Sequence, residues 1–373
     1  MLEPTANELL EGIRRWVEIE SQTADTEGVN RVMTACAEEF GATGAHVERI
    51  PGREGKGDHL LVSSAWGGDA PGILVLSHLD TVHPRGTLTG ELPFRVDGDR
   101  AFGPGIYDMK GGAYIAMAAY RAIAASGHTT PLPIRFLIVS DEEIGSLTSR
   151  DLIEREGAKA KYVLVTEPAR EGGKVVTARK GVARYEIRTQ GRPSHAGGAH
   201  KDGRSAIVEL ARQIIAIESM TDYGRGTTLN IGQIKGGTAD NVVPEHAWAA
   251  IDMRITSVAE GEAMDRRLKS LKPHNPDVKV MVTGGLNRPP FEKSNSIASL
   301  FEHARGLARD IGIDLQDMST GGGSDGNFTA PLAPTLDGLG VDGAGAHTLK
   351  EHLLISSLVP RMTLQKRLFE TLR

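Results

Sequence analysis

The chain has 373 residues, which exceeds the usual size of a single hydrophobic core and favours two domains. Its net charge of −5 gives no general attraction for nucleic acid or for an anionic membrane, so we expect neither as a partner. The single cysteine, Cys36, excludes an internal disulfide and fits a reducing compartment. Because the N-terminus also lacks the features of a signal peptide, we expect a cytoplasmic protein.

The first part of the chain alternates between predicted helices and strands. A capping-box pattern at Thr5 predicts a helix start. Further along, short apolar runs predict buried strands and an Ala-rich run predicts a helix, in this order: strands His59–Ser64 and Gly72–Ser77, helix Gly111–Ala125, strand Ile134–Val139. This alternation predicts an α/β fold with a mostly parallel sheet, in which ligands bind beyond the carboxyl ends of the strands.

The pattern changes after Glu171 and changes back near Ser294. Between them the order of predicted elements is β-β-α-β-β-α-β, with strands in 175–189, 228–234, 247–255 and 278–282 and helices in 205–220 and 259–271. This order is typical of a small α+β domain. We therefore predict a catalytic domain of residues 1–171 and 286–373, with a ferredoxin-like domain of residues 172–285 inserted into it.

Acidic residues and histidines follow several of the apolar segments. His78 and Asp80 come directly after a strand, and residues i and i+2 share a strand face, so Asp80 can accept the second ring N–H of His78. Asp108 lies in a Gly-rich turn before a helix, where the third glycine of a dinucleotide-binding motif is missing. Each feature also has an ordinary interpretation: the pair as a salt bridge, and Asp108 as a helix cap.

Three further segments carry the same signal. Glu142 and Glu143 follow the strand Ile134–Val139, Glu167 follows an apolar run, and His347 lies in a Gly/Ala-rich loop. Adjacent acids at a strand end are commonly a solvated loop, but in a parallel sheet they point to the ligand edge. There Glu143 can bind a metal while Glu142 transfers a proton.

These residues together predict a metal site at one edge of the sheet. They contribute two imidazoles and five carboxylates: His78, Asp80, Asp108, Glu142, Glu143, Glu167 and His347. Gathering so many anions without cations is strongly unfavourable, and two divalent ions would balance the three carboxylates expected to bind them. Nitrogen and oxygen ligands without thiolate suit zinc best, with cobalt or manganese as alternatives.

At this point the chain resembles a known family. From about residue 70 onward it has, in order, the motifs of the M20 co-catalytic zinc metallopeptidases: SHLDTV, GPGIYDMKGG, SDEEIGS, TEP, GRPSHAG, NVVP and GAGAHTLKE. The segments GGGSDG and DGLG are most similar to the glutamate carboxypeptidase branch. The resemblance implies a hydrolase that cleaves an amide bond in a small peptide or N-acyl amino acid and releases a C-terminal, glutamate-like amino acid.

The resemblance also implies a role for each position. Asp108 would bridge two zinc ions per subunit, with His78 and Glu167 completing one site and Glu143 and His347 the other. Glu142 would be the general base, Asp80 would orient His78, and a cis peptide would follow Asp108.

In the inserted domain, His195 resembles a histidine that reaches the active site of the partner subunit in a homodimer and helps to hold the oxyanion. A lone histidine would otherwise be interpreted as a surface or capping residue. The positions that resemble substrate-binding residues are Asn241, Arg288, Gly323 and Lys180. Tyr107 stands where a small residue is frequent in the family, which leaves the size of the nearby pocket open.

Three alternatives remain. The first is an N-acyl-amino-acid deacylase or desuccinylase of the same family, since the same metals would serve and only the pocket would differ. The second is a non-catalytic, metal-stabilised scaffold, although the complete ligand set and Glu142 favour an enzyme. The third is nucleotide binding at the glycine runs, which the missing glycine and the acidic surroundings disfavour.

Overall fold

The computed structural model describes residues 3–373. These residues form two compact units: a larger one of residues 3–178, Lys293–Thr320 and Ser324–Arg373, and a smaller one of Arg179–Glu292 with Gly321–Gly323. The boundaries of the inserted domain drawn from the sequence, residues 172 and 285, refer to domains that fold independently. These boundaries stay a prediction. Among the described residues, every helix is too short or too polar to cross a lipid bilayer.

Within residues 3–373 the chain has nine α-helices and sixteen strands. The helices are α1 Ala6–Val17, α2 Thr26–Gly41, α3 Gly111–Ser126, α4 Arg150–Gly157, α5 Ala206–Glu218, α6 Val258–Lys269, α7 Asn295–Asp310, α8 Gly326–Thr329 and α9 Leu358–Thr371. The strands are β1 His46–Ile50, β2 His59–Ser63, β3 Ile73–His78, β4 Arg95–Asp97, β5 Arg100–Phe102, β6 Ile134–Val139, β7 Tyr162–Val165, β8 Val175–Arg179, β9 Gly181–Gln190, β10 Thr228–Gly236, β11 His246–Ile255, β12 Lys279–Arg288, β13 Asp317–Thr320, β14 Thr335–Leu336, β15 Gly343–Ala344 and β16 His352–Leu354.

The larger unit is built on a six-stranded sheet of order β1-β2-β6-β3-β7-β14. β6, β3, β7 and β14 run parallel, and only β1 and β2 are antiparallel at one edge. The predicted α/β fold with a mostly parallel sheet is confirmed. The start of α1 is also as predicted, because Thr5 and Glu8 form the capping box.

Alternate residues of the central strand β3 pack on opposite faces of this sheet. Ile73 and Val75 lie in a core built with α1, α2, α3, α7 and α9, whereas Leu74 and Leu76 lie in a second core with α4 and α8. A strand covered on both faces has no polar side, which explains its unbroken apolar sequence. A polar side chain that could bind a ligand is therefore expected only where β3 ends.

Two small sheets complete the larger unit. One has the order β15-β16-β5-β4, so the β15–β16 hairpin is fastened beside the segment that leads to Asp108. The other pairs β8 with β13. The sequence placed β8 with the inserted domain, but almost all of its residues are buried and Val175 and Val176 bond to other strand-end segments of the larger unit.

The smaller unit is an antiparallel sheet of order β10-β11-β9-β12 with α5 and α6 packed against it. Its element order β-α-β-β-α-β gives the ferredoxin-like arrangement that the sequence predicted. The helices bury one face of the sheet around Ile187, Leu210, Ile251 and Leu268. The strand order makes β10 and β12 the edge strands.

Candidate metal centre and active site

Parallel strands deliver four of the predicted residues to one edge of the larger sheet. His78 is the last residue of β3. Glu142 and Glu143 lie in a helical turn just after β6, and Glu167 lies just after β7. Because β6, β3 and β7 are parallel neighbours, their carboxyl ends meet at the same place, as the sequence predicted.

Two loops bring the remaining predicted ligands to this edge. Asp108 lies in a π-helical turn, Ile106–Lys110, immediately before α3, and the peptide bond from Asp108 to Met109 is cis, which confirms that prediction. His347 lies in the loop between β15 and β16 with a left-handed φ of 63°. Few residues other than glycine adopt this conformation, and those that do are concentrated at functional sites.

The five predicted metal ligands lie together around Asp108. Its two carboxylate oxygens face different imidazoles: Oδ1 is 3.4 Å from Nε2 of His78, and Oδ2 is 3.4 Å from Nε2 of His347. Glu143 Oε2 lies 3.0 Å from the same nitrogen of His347, and Glu167 Oε1 lies 3.7 Å from that of His78. One carboxylate thus stands between two groups, each of one histidine and one further acid.

The donor atoms fit a cation. Among residues 3–373, His78 Nε2 and Glu143 Oε1 are buried without a hydrogen-bond partner, which is costly unless another partner binds them. The ligand atoms of His78, Asp108 and Glu143 lie within 4.8 Å of one another, as do those of His78, Glu142 and Glu167. Imidazole nitrogens and carboxylate oxygens in this number are the ligands of a zinc-type site.

The acids and imidazoles strongly perturb each other's protonation. Asp108 and Glu143 raise the pKa of His347 to about 11. Burial acts to lower the pKa of His78, but Asp108 and Asp80 outweigh it and raise that pKa. Burial likewise acts to raise the pKa of Asp108, yet His347 and His78 hold it well below its ordinary value. Without metal, the acids favour the protonated form of both rings, and a metal that binds through a ring nitrogen competes with that proton.

Asp80 does not contact His78 as the sequence predicted, with its carboxylate as the nearest acceptor of the ring N–H. Nδ1 of His78 lies 2.9 Å from the main-chain oxygen of Asp80 and 3.4 Å from its carboxylate, so the main chain is the nearer acceptor. The fully buried carboxylate instead accepts from the Thr23 hydroxyl and from the backbone N–H groups of Glu142 and Glu143, at 2.7, 3.2 and 3.2 Å. Asp80 therefore fastens the loop of Glu142 and Glu143 beside His78.

Tyr107, whose effect on the pocket the sequence left open, is buried rather than directed at solvent. Its side chain is 4% exposed, its ring lies near Gly343, and its hydroxyl donates to the main-chain oxygen of Ala169. This contact joins the Asp108 turn to the segment after Glu167. Burial raises the pKa of Tyr107 to about 12, so the phenol stays a donor at neutral pH.

Two structural acids near the site were missed from the sequence. Asp141, the first of three consecutive acids, is fully buried and accepts from the backbone and hydroxyl of Thr148 and from the hydroxyl of Ser149. Asp325 accepts from the hydroxyl of Ser146. The sequence signal for these contacts is the run Ser146-Leu147-Thr148-Ser149 after the three acids. Its hydroxyl groups are the donors that the buried carboxylates need.

In the smaller unit the structure brings His195 and Asn241 together. His195 is exposed and forms a bridge with Val242, and the main-chain oxygen of Asn241 accepts from the N–H of Ala196 at 2.9 Å. Nδ1 of His195 accepts from the N–H groups of Gly197 and Gly198, at 3.2 and 3.1 Å. A neutral ring held in this way carries its proton on Nε2, so that nitrogen is a donor.

A second grouping in the smaller unit contains Arg288 and Gly323. Arg288 is 4% exposed and ends β12 beyond a bulge. A Cβ at Gly323 would stand 2.9 Å from Cδ of Arg288, so glycine permits the close approach of the arginine stem. Lys180 lies beside Gly226, where an added Cβ would meet its Nζ at 3.8 Å.

A sheet-edge cluster of this composition, with one carboxylate between two histidine–acid groups, is typical of metal-dependent hydrolases that activate water. Residues 74–371 match the model of the peptidase family M20/M25/M40. The chain therefore belongs to this family and is a metal-dependent peptide or amide hydrolase.

Individual relatives agree with this assignment. The chain is 31% identical over 360 residues to carboxypeptidase G2 of Pseudomonas sp. (strain RS-16), covering 95% of this chain and 86% of that one. It is 26% identical over 373 residues to succinyl-diaminopimelate desuccinylase of Burkholderia multivorans, covering 94% and 96%. Its fold is similar to that of a tripeptidase from Staphylococcus aureus, with a TM-score of 0.81, 21% identity and 99% of both chains covered.

Proposed function

We propose that the protein is a two-zinc carboxypeptidase that hydrolyses the amide bond before a free, glutamate-like C-terminal amino acid. The observation that carries the two-metal part is the placement of Asp108, whose two oxygens face different imidazoles at equal distance. His78 and Glu167 would hold one ion, Glu143 and His347 the other, and cobalt or manganese could replace zinc.

The proposed reaction divides the work among the residues of the site. The metal ions would supply Lewis-acid activation of water and of the acyl oxygen. Glu142 takes a proton from the attacking water and delivers it to the leaving nitrogen. Its N–H is held by Asp80 at 3.2 Å, which supports a fixed position for the base. His195 donates through Nε2 to the oxyanion, a role supported by the two N–H groups on its Nδ1.

The protein would act as a homodimer through the smaller unit. Apolar side chains stand exposed on α5 and on the edge strand β10, among them Ile215 at 72% and Ile234 at 57% exposure. Ile207 of α5 lies next to Gly236 of β10, so the exposed part of the helix adjoins this edge strand. An unpaired strand edge with an apolar flank fits a second copy of itself, related by a two-fold axis.

Subunit mixing tests the dimer and His195 together. If His195 completes the partner's site, Glu142→Gln and His195→Ala proteins are each nearly inactive, but a heterodimer keeps one intact site. Unfolding and refolding an equal mixture should restore roughly a quarter of wild-type activity, since random pairing makes half the dimers mixed. A mixture that stays inactive while size-exclusion chromatography shows dimers contradicts the role of His195, and a monomeric wild type contradicts the dimer.

Glutamate-like specificity is supported by the identity to carboxypeptidase G2 across 95% of the chain and by the buried Arg288. An arginine can hold a carboxylate through two parallel hydrogen bonds. The alternative is an N-acyl-amino-acid deacylase or desuccinylase, which the similarity to succinyl-diaminopimelate desuccinylase favours.

A substrate panel separates the two activities. Zinc-loaded protein is assayed for free amino acid release from N-acyl amino acids and dipeptides ending in glutamate, aspartate or an aliphatic residue, and from N-succinyl-diaminopimelate. We expect kcat/KM to be highest for C-terminal glutamate. The highest value for N-succinyl-diaminopimelate would establish the alternative, and no hydrolysis by metal-loaded protein would refute both.

A further inference from the structure

Glu351 is a buried carboxylate outside the predicted ligand set, and it holds the turn that carries Asp108. Its side chain is 1% exposed. Oε1 accepts from the N–H groups of Tyr107 and Asp108, at 2.9 and 3.0 Å, and Oε2 accepts from the N–H of Gly105 at 3.1 Å and from Nε2 of His83 at 2.6 Å. Both oxygens are thus used twice; two of the four donors belong to the Asp108 turn, and a third, Gly105, immediately precedes it.

The same residue is closely tied to His347. The loop from Gly345 to Glu351 is closed by two backbone hydrogen bonds, Thr348 N–H to Gly345 O at 3.0 Å and Glu351 N–H to Thr348 O at 3.2 Å. Gly345 has a φ of 83°, and a Cβ there would stand 2.7 Å from the main-chain oxygen of Lys350. Because these hydrogen bonds hold the loop together as one piece, fixing the position of Glu351 also restrains the position of His347.

The fourth donor extends the connection to the segment of His78. His83 follows His78 closely in the chain and is itself buried, and the backbone between them is anchored where Thr81 N–H donates to Ser21 O at 2.9 Å. One carboxylate therefore joins the three segments that carry His78, Asp108 and His347. Asp108 is the acid predicted to bridge the metal ions, and His78 and His347 are the imidazoles that face its two oxygens.

We propose that Glu351 is a positioning residue that sets the separation of the two metal subsites by locking the Asp108 turn against the His347 loop. The inference rests on the proposed two-metal function. A metal site needs its ligands within about 0.5 Å of their productive positions, so a residue that fixes two ligands at once has a direct effect on affinity. Residues that orient ligands in this way typically change metal affinity by about 10–100-fold when they are replaced.

Glu351→Gln tests this role with little change in shape. The amide has one acceptor oxygen, and its NH₂ group would face an N–H donor or His83, so part of the Asp108 turn loses its anchor. We expect the zinc affinity, measured by competition with a chelator, to fall by about 10–100-fold. The visible spectrum of the cobalt-loaded protein should also change, because it reports ligand geometry.

Glu209→Gln is the matched control. Glu209 is also a buried glutamate with four donors: it accepts from the N–H groups of His274 and Asn275 at 2.9 and 3.0 Å, from the His274 ring at 3.2 Å and from Gln213 at 2.8 Å. It belongs to the smaller unit, whereas the predicted metal ligands all belong to the larger one. We expect Glu209→Gln to destabilise the protein towards urea as Glu351→Gln does, but to retain wild-type zinc affinity and the wild-type cobalt spectrum.

The outcomes separate the inference from the proposed function. A wild type that binds no zinc refutes the proposed function. A wild type that binds zinc, with a folded Glu351→Gln protein of unchanged affinity and spectrum, overturns the inference alone. If Glu351→Gln does not fold, His83→Leu removes only one donor; we expect weaker zinc binding, restored by His83→Gln, which keeps an N–H for Glu351. Unchanged zinc binding by folded His83→Leu protein would equally overturn the inference.

Discussion

Replacing Glu142 by glutamine should separate metal binding from catalysis. The substitution keeps the shape of the side chain and leaves the backbone N–H of residue 142 on Asp80, at 3.2 Å. The five predicted ligands around Asp108 are untouched. The amide cannot take a proton from water, so the proposed proton transfer is lost.

The expected loss follows from the role of a general base. Proton transfer by a positioned side chain contributes about 10²–10⁴-fold in rate, which corresponds to roughly 2.7–5.4 kcal/mol of activation free energy. The ligand atoms of His78 and Glu167 lie within 4.8 Å of the Glu142 carboxylate, so removing this charge also weakens the attraction for cations. That second effect should be small, because the ligating carboxylates remain.

The assay compares Glu142→Gln with Glu143→Gln. We expect Glu142→Gln protein to retain the wild-type metal content, measured by mass spectrometry of the purified protein, while kcat falls by about 10²–10⁴-fold. The side chain of Glu143 is 5% exposed and lies 3.0 Å from His347, so Glu143→Gln should lose metal as well as activity. Near-wild-type turnover by metal-loaded Glu142→Gln protein would refute the assignment of the base.

Two further predictions follow from the surroundings of Asp108. Asp108 and Glu143 raise the pKa of His347 to about 11, so the metal-free ring is protonated at neutral pH. A metal that binds through Nε2 must release that proton. Calorimetry should therefore show that the metal affinity rises with pH, by about tenfold per pH unit for each proton released. Tyr107→Phe removes the donor to the buried oxygen of Ala169, so urea denaturation should show a loss of about 1–3 kcal/mol in the free energy of unfolding.

Each of these predictions has its own control. For the first, proton uptake or release is measured in buffers of different ionisation enthalpy, and a metal affinity independent of pH below the raised pKa would contradict it. For the second, Tyr162→Phe removes a hydroxyl that donates to Arg373 O at an exposed site, at 3.1 Å, and should cost less than about 0.5 kcal/mol. Equal losses in the two variants would show that burial of the Tyr107 hydroxyl is not the cause.

The sequence predicted the parts of the site that depend on local pattern and strand direction. The apolar run before His78 identified a strand covered on both faces, and the repeated appearance of acids after such runs placed Glu143 and Glu167 at one sheet edge. The resemblance to the M20 family supplied the order of the ligands and the cis bond at Asp108. Local spacing is sufficient here because parallel neighbours necessarily end together.

Other features depend on contacts between distant parts of the chain. Periodicity showed β8 as a strand but could not show that it pairs with β13, since any exposed edge would satisfy its backbone. The sequence likewise suggested Asp80 as the acceptor for His78, whereas the main chain is the nearer acceptor and the carboxylate serves Thr23 and the following loop. The tertiary packing decides which donors come within hydrogen-bonding distance of a given acceptor.

The amino-acid sequence by itself thus determined the fold class, the residue types of the predicted ligands and the edge of the sheet where these residues meet, because these features follow from residue type and short spacing. Only the tertiary structure decided how the ligands are held. Glu351 meets the N–H of Asp108 across 243 residues and His83 across 268. Such hydrogen bonds leave no periodic trace in the sequence, because their geometry exists only after the β15–β16 hairpin has packed beside β5.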